Sequence, residues 1–397
     1  MPNEPQPSDA RNLLAASFIA DPWSCYAAWR GGPRSFEATP RGIYVVHRYA
    51  DVMRVLVDHT LFSSSRMNLA QRPWLRDDVF DGGLVAMDPP EHTARRRNAA
   101  AAVNRMDIDR MVALFVRIGA PVLDSMIARG GGDFIGEFGA PLQARVIAET
   151  LGASELAGKI PAWVDALSSG PLEPPERQEI LGAAFASLRF ELERVIDASP
   201  ENLPDNLSGA LDQRNADSGL GRAATLSFLG LWLVAAWETT IQLLANLVIA
   251  WSASPEACEA SAGDVNGRAR LVEEVLRLTP PVHAIDRIAT ENVSLFGETI
   301  PENAIVLAFI AAANCDDEIF PHPRRFDPNR DHSALLSFGQ GAHYCLGAKL
   351  ATLQAAALAG MLAERSVRIG LREEPLPWRW TLSLRTLPRL DIAFSRA

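Results

Sequence analysis

The longest apolar stretch, residues 222–252, does most to limit how this chain can fold. It runs Leu226-Ser227-Phe228-Leu229-Gly230-Leu231-Trp232-Leu233-Val234-Ala235-Ala236-Trp237 and continues through Ile241, Leu243, Leu244, Leu247, Val248 and Ile249. A membrane helix needs about 20 apolar residues, so the length alone permits a span. Glu238, Thr239, Thr240, Gln242 and Asn246 near the centre oppose it. An acid at mid-bilayer costs roughly 2.5–3.5 kcal/mol on insertion scales. No second span and no strongly basic flank are evident. The expectation is therefore a buried helix at the heart of a large domain, with no membrane association. A carboxylate and two hydroxyls within it mark a place of interest, because buried charges persist where they are paired or used.

Other global features narrow the class. The 397 residues suffice for one large core. A net charge of −10 argues against nucleic acid as a partner. Cys25, Cys258, Cys315 and Cys345 lie far apart with no CxxC pair, which argues against disulfides and a zinc ribbon. Residues 1–16 lack a basic segment followed by an apolar run, so a cytoplasmic protein is expected. Apolar spacing predicts helices over 22–30, 49–57, 107–129, 137–152, 157–168 and 173–196. A helix should start near Asp88-Pro89-Pro90-Glu91, placing His92 and Arg96 on one face. Residues 61–83 and 200–218 read as loops, and 43–46, 293–300, 305–307 and 366–396 as short strands.

Near the C-terminal end, Ser337-Phe338-Gly339-Gln340-Gly341-Ala342-His343-Tyr344-Cys345-Leu346-Gly347 reads as a glycine-rich loop followed by an alanine-rich helix. Cys345 thus sits at a helix N-terminus, where free N–H groups and the helix dipole favour a thiolate. A thiolate can bind metal or attack an electrophile. These local features leave metal ligand, nucleophile and incidental cysteine all open. Upstream, Glu274 and Arg277 are spaced to pair on one helix face, which by itself reads as a weak surface ion pair.

Together, Phe338-Gly339-x-Gly341-x-His343-x-Cys345-x-Gly347-x-x-Leu350-Ala351, Glu274-x-x-Arg277, Pro323-x-Arg325-Phe326, Glu238-Thr239 and the segment 88–96 resemble a cytochrome P450 of the soluble bacterial type. The resemblance covers essentially the whole chain. It implies a mainly α fold with small β-sheets, as one domain over residues 1–397 with a loosely ordered lead-in at 1–20. Haem b (iron protoporphyrin IX) would lie between the central helix, 222–252, and the helix after Cys345.

By the same resemblance Cys345 is the axial ligand, and thiolate ligation pushes haem iron toward O–O cleavage. Phe338 shields the sulfur, and His92, Arg96, Arg287 and His343 meet the haem propionates. Glu238 and Thr239 relay protons to the reacting oxygen. Glu274, Arg277 and Arg325 form a buried network holding the ligand loop. Substrate walls come from 65–86, from Leu231, Val234 and Ala235, from Val282, His283 and Ala284, and from 384–386.

The implied function is a monooxygenase of secondary metabolism that inserts one oxygen atom from O₂ into a small organic molecule. Oxidative coupling, desaturation, nitration, peroxide-driven oxidation and a non-catalytic haem sensor are the alternatives. No G-x-G-x-x-G fingerprint of a flavin or nicotinamide site is present, so electrons are expected from a separate ferredoxin-type donor docking on a monomer near Arg95, Arg97, Arg324 and Lys349. Two departures stand out. Ala236 occupies a place where the family often has glycine, and Thr352 and Gln354 replace its frequent arginine and glutamate.

Overall fold

A computed structural model describes residues 11–39, 42–65, 83–168, 175–198, 206–295 and 298–396. Most of the expected wall segment 65–86 and of the loop 61–83 lies outside these residues. The chain forms two compact units.

The first unit comprises Met1–Ser63, Val122–Gly136 and Gln242–Ala397. Its largest sheet has five strands in the order Ser35–Thr39, Ile43–Val46, Ile305–Ala308, Ile285–Ala289 and Phe62–Ser63. Ile43 pairs with Ile305 in the one parallel ladder of that sheet; the other ladders are antiparallel. Alternation along the strands divides their side chains between two cores. Val46, Val306 and Ala308 join Val52, Val55 and Leu56 of the Tyr49–Val57 helix. Val45 and Leu307 join Phe18, Tyr26, Trp29 and Phe309. Within the lead-in, Ala16–Ala20 is helical, and Leu13 and Phe18 are fully buried.

The second unit comprises Ser64–Pro121 and Glu137–Ile241, and its described residues are mainly helical. Its helices include Glu91–Val103, Ala140–Leu151, Ile160–Ser168 and Pro175–Ala198. The reading of 200–218 as a loop is corrected for its second half, where Leu207–Asp217 is a helix. Asn206 caps it by accepting the Gly209 N–H at 2.7 Å. Leu207, Ala210 and Leu211 supply its buried stripe, which the surrounding polar residues obscured.

The central helix is Gly221–Ala253, 33 residues long. By length and composition it could cross a membrane, but 61% of its most apolar window is buried inside the protein. Ile108–Ala128 passes the same test, so the expectation of a single such stretch is corrected as well.

Candidate active site

Within the first unit, the thiol loop hangs from a buried network. Glu274 and Arg277 sit in the helix Val265–Leu278 and are both fully buried. Arg277 grips Glu274 with two hydrogen bonds of 2.8 Å each, from Nε and Nη2. The paired fork geometry is the strong form of a charge-assisted bond. A carboxylate has about four acceptor positions, and Glu274 uses more of them on Asp327 N at 2.8 Å, His332 Nε2 at 3.0 Å and Arg330 Nε at 3.2 Å. Burial works to raise this carboxyl, and the bonds from Arg277 and His332 overcome it, leaving its pKa at about 2.

Here the structure corrects one expectation. Arg325 lends the network only its backbone oxygen, 3.3 Å from Arg277 Nη2, and its side chain is exposed. Arg330 and His332 take the place expected for it. Spacing could not show which of Arg324, Arg325 and Arg330 turns inward.

From Arg277 the connection runs on to the loop. Arg277 Nη1 donates to the Asn314 carbonyl at 3.0 Å. The Asn314 side chain accepts from Leu336 N at 2.9 Å and donates to Ser337 Oγ at 2.8 Å. Ser337 Oγ in turn donates to Leu276 O at 2.7 Å. Neither Asn314 nor Ser337 was singled out from the sequence, because each acts through a bond to distant backbone. The loop closes on itself through Gly339 N to Leu336 O at 2.8 Å and Cys345 N to Phe338 O at 2.9 Å. Gly341 adopts φ +70, and a Cβ there would lie 3.3 Å from Leu56 O, so the position takes glycine on two counts.

Cys345 is exposed, whereas Cys25, Cys258 and Cys315 are buried. It stands two residues before Gly347, the cap of the helix Ala348–Arg365. Phe338 packs edge-on against Tyr344, with centroids 6.4 Å apart. His343 ends the short turn Gly341–His343 and is half-buried. Arg287, on the strand Ile285–Ala289, is buried and donates to Asp286 O at 2.7 Å.

The expected wall residues of this unit fare differently. Val282 is half-buried and bridges to Leu384. His283 and Ala284 are each 1% exposed, and both are corrected to core positions. His283 Nδ1 is 2.6 Å from the Tyr26 hydroxyl, and Trp380 stands edge-on to its ring at 5.3 Å. Burial holds this imidazole well below its ordinary pKa of 6.5. Aromatic neighbours from distant segments enclose it, and local sequence carries no sign of them.

Within the second unit, His92 is buried and Arg96 half-buried on the helix Glu91–Val103. Leu231, Val234, Ala235, Glu238 and Thr239 lie on one face of the central helix by their spacing of three and four. All five are half-buried or exposed, between buried Trp232, Leu233, Trp237 and Thr240. The acid and the hydroxyl are thus more open than a helix buried on every side would leave them. Thr239 Oγ1 donates to Ala235 O at 2.6 Å.

The residues fit a haem. Haem iron of this kind would need only one thiolate from the protein. Cys345 offers a single accessible thiol. Among the described residues no group of three His, Cys, Asp or Glu side chains is placed to hold a bare metal ion.

Comparison with known proteins agrees. The profile of the cytochrome P450 family matches residues 269–385. The cytochrome P450 monooxygenase PikC of Streptomyces venezuelae is 32% identical over 395 residues, covering 96% of this chain and 93% of that protein. The mycinamicin IV hydroxylase/epoxidase of Micromonospora griseorubida is 32% identical over 350 residues, covering 86% and 87%. The structure of CYP109Q5 from Chondromyces apiculatus superposes with a TM-score of 0.86 at 26% identity, over 97% of this chain and 98% of that one. The chain belongs to the cytochrome P450 family. It is an oxidoreductase of the monooxygenase type, working with a haem, O₂, a substrate and a redox partner, and its fold is mainly α with small sheets.

Proposed function

We propose that this protein is a single-domain, monomeric, cytoplasmic monooxygenase carrying haem b, fed by a ferredoxin-type donor. Its reaction would be the hydroxylation or epoxidation of a small secondary metabolite. Relatives named as a mycinamicin IV hydroxylase/epoxidase and a cyclomarin C epoxidase support that reaction class. The observation that carries the reading is the exposed Cys345 on a loop suspended from buried Glu274 and Arg277.

When bound, a haem would supply an iron that activates O₂, made electron-rich by a thiolate ligand. Cys345 would hold that iron, and the N-terminus of Ala348–Arg365 favours the charge on its sulfur. His92, Arg96, Arg287 and His343 would pair with the propionates. Glu238, half-open on its helix face, takes a proton from water and passes it to Thr239. Thr239 delivers it by turning its O–H away from Ala235 O while its oxygen accepts the next proton. Leu231, Val234 and Ala235 line the approach of the substrate. Exposed Arg97, Arg324 and Lys349 serve the acidic donor.

The test is the optical spectrum of the protein reduced under CO by a plant-type ferredoxin and its reductase. A strongly red-shifted Soret band is expected, and Cys345→Ala should lose it. Retention of the band in that variant rejects Cys345 as ligand. A band that forms with dithionite and not with ferredoxin rejects the ferredoxin donor.

A further inference from the structure

We infer that Gln143 is a positioning residue for the turn of the central helix that carries Glu238 and Thr239. The inference rests on the proton-relay reading above and assigns the relay a support outside its own helix. Gln143 lies in the helix Ala140–Leu151 and is 1% exposed. Its Nε2 donates to the carbonyl of Ala236 at 2.8 Å. One residue earlier, the Ala235 carbonyl accepts from Thr239 Oγ1 at 2.6 Å. Two consecutive helix carbonyls, Ala235 and Ala236, therefore each receive a side-chain donor within one turn before the acid–threonine pair.

A carbonyl oxygen has two lone pairs and can serve a side chain in addition to its helical N–H. A side-chain donor entering the helical ladder competes for the carbonyl and can bend a helix, and here Gln143 ties the Ala236 carbonyl to a neighbouring helix. The position matters because Ala236 stands where glycine would leave the backbone freer. Gln143 supplies from outside a hold on that backbone.

A second bond fixes the register of the same two helices. Trp232 Nε1 donates to Thr150 Oγ1 at 3.0 Å, and the Thr150 hydroxyl donates to Ile147 O at 2.7 Å. Gln143 and Thr150 are two turns apart on one helix face, and Trp232 and Ala236 are one turn apart on the other helix. The lower residue number of one helix meets the higher of the other, so the pair runs antiparallel. Both grips meet the central helix beside its open stripe. The substitution that breaks the hold on Ala236 leaves the Trp232 bond to keep the helices together, so the relay turn can be loosened while the fold persists.

Hydrogen–deuterium exchange of the peptide spanning 236–242 in the haem-loaded protein is the direct readout. Gln143→Leu should exchange there about fivefold faster, the equivalent of one typical net hydrogen bond, with peptides of 226–232 unchanged. The functional readout is uncoupling: the share of the O₂ consumed under reduction by ferredoxin and its reductase that is released as H₂O₂ instead of being reduced to water. Gln143→Leu should raise that share. Gln143→Glu should release more H₂O₂ where its carboxylate is ionised and return toward the native share as the pH falls and the carboxyl regains a donor; the native protein lacks that return. A general loss of packing would not recover with acid. Unchanged exchange in Gln143→Leu, or a Gln143→Glu profile parallel to the native one, overturns the inference. Thr239→Ala separates it from the relay reading. A raised H₂O₂ share in Thr239→Ala with none in Gln143→Leu rejects Gln143 alone, and an unchanged share in Thr239→Ala rejects the relay.

Discussion

The thiol loop and the acid–threonine turn are held by opposite means. The loop depends on fully buried charge: Glu274 and Arg277 face each other without solvent, and Arg330, His332 and Asn314 spread that hold over backbone distant in sequence. The turn depends on neutral bonds to helix carbonyls, from partly exposed Thr239 and from buried Gln143. Buried charge tolerates little rearrangement, because any partner withdrawn leaves an ion without solvation. Neutral bonds can be given up without stranding an ion. A sulfur that must stay fixed and a hydroxyl that must rotate call for these two constructions.

The contrast predicts unequal penalties. Glu274→Gln leaves the Arg277 charge uncompensated and should destabilise the protein by about 3–5 kcal/mol in denaturant unfolding. The pH dependence follows from the same group. Its carboxyl lies at about 2 against an ordinary 4.5, a depressed value. It therefore contributes stability that is full above 4.5 and is lost as the pH falls toward 2. Glu274→Gln should lack that limb of the acid unfolding curve, and parallel curves would break the comparison at its stronger end.

An intermediate effect separates Arg330 from Arg325. Arg330→Ala removes a donor to buried Glu274 and should cost about 1–3 kcal/mol. Arg325→Ala, whose side chain is exposed, should stay within about 0.5 kcal/mol. A reversed ranking in thermal unfolding would return the network to the arrangement read from the sequence. The smallest effect belongs to the open face. Thr239→Ala exchanges a back-bonded hydroxyl for the best helix former and should shift stability by less than about 0.5 kcal/mol. A larger loss would show the turn to be as structural as the loop.

These differences track what sequence could reveal. The helices Pro22–Arg30 and Tyr49–Val57 were legible from apolar spacing, and the loop at Cys345 from its glycines and the helix behind it. These are local patterns. Arg330 and His332 were missed because their partner, Glu274, lies 56 and 58 residues away. His283 was misplaced because Tyr26, 257 residues away, takes its ring nitrogen. The helix Leu207–Asp217 was lost among polar residues, since only three apolar side chains mark its buried stripe and its Asn206 cap reads equally as a turn residue. Local periodicity shows what an element is, while long-range polar pairing decides what a side chain does.

The open stripe of the central helix has an evolutionary consequence. Leu231, Val234 and Ala235 are not among the fully buried residues of the helix, so exchanging them removes less packed volume than exchanging Trp232 or Leu233. Lineages can therefore vary these positions, and with them the shape presented to a substrate, at small cost to folding. Variation at Glu274 or Arg277 would be purged long before it altered chemistry. New substrate ranges should accordingly arise by drift along this stripe while the sulfur side stays as it is.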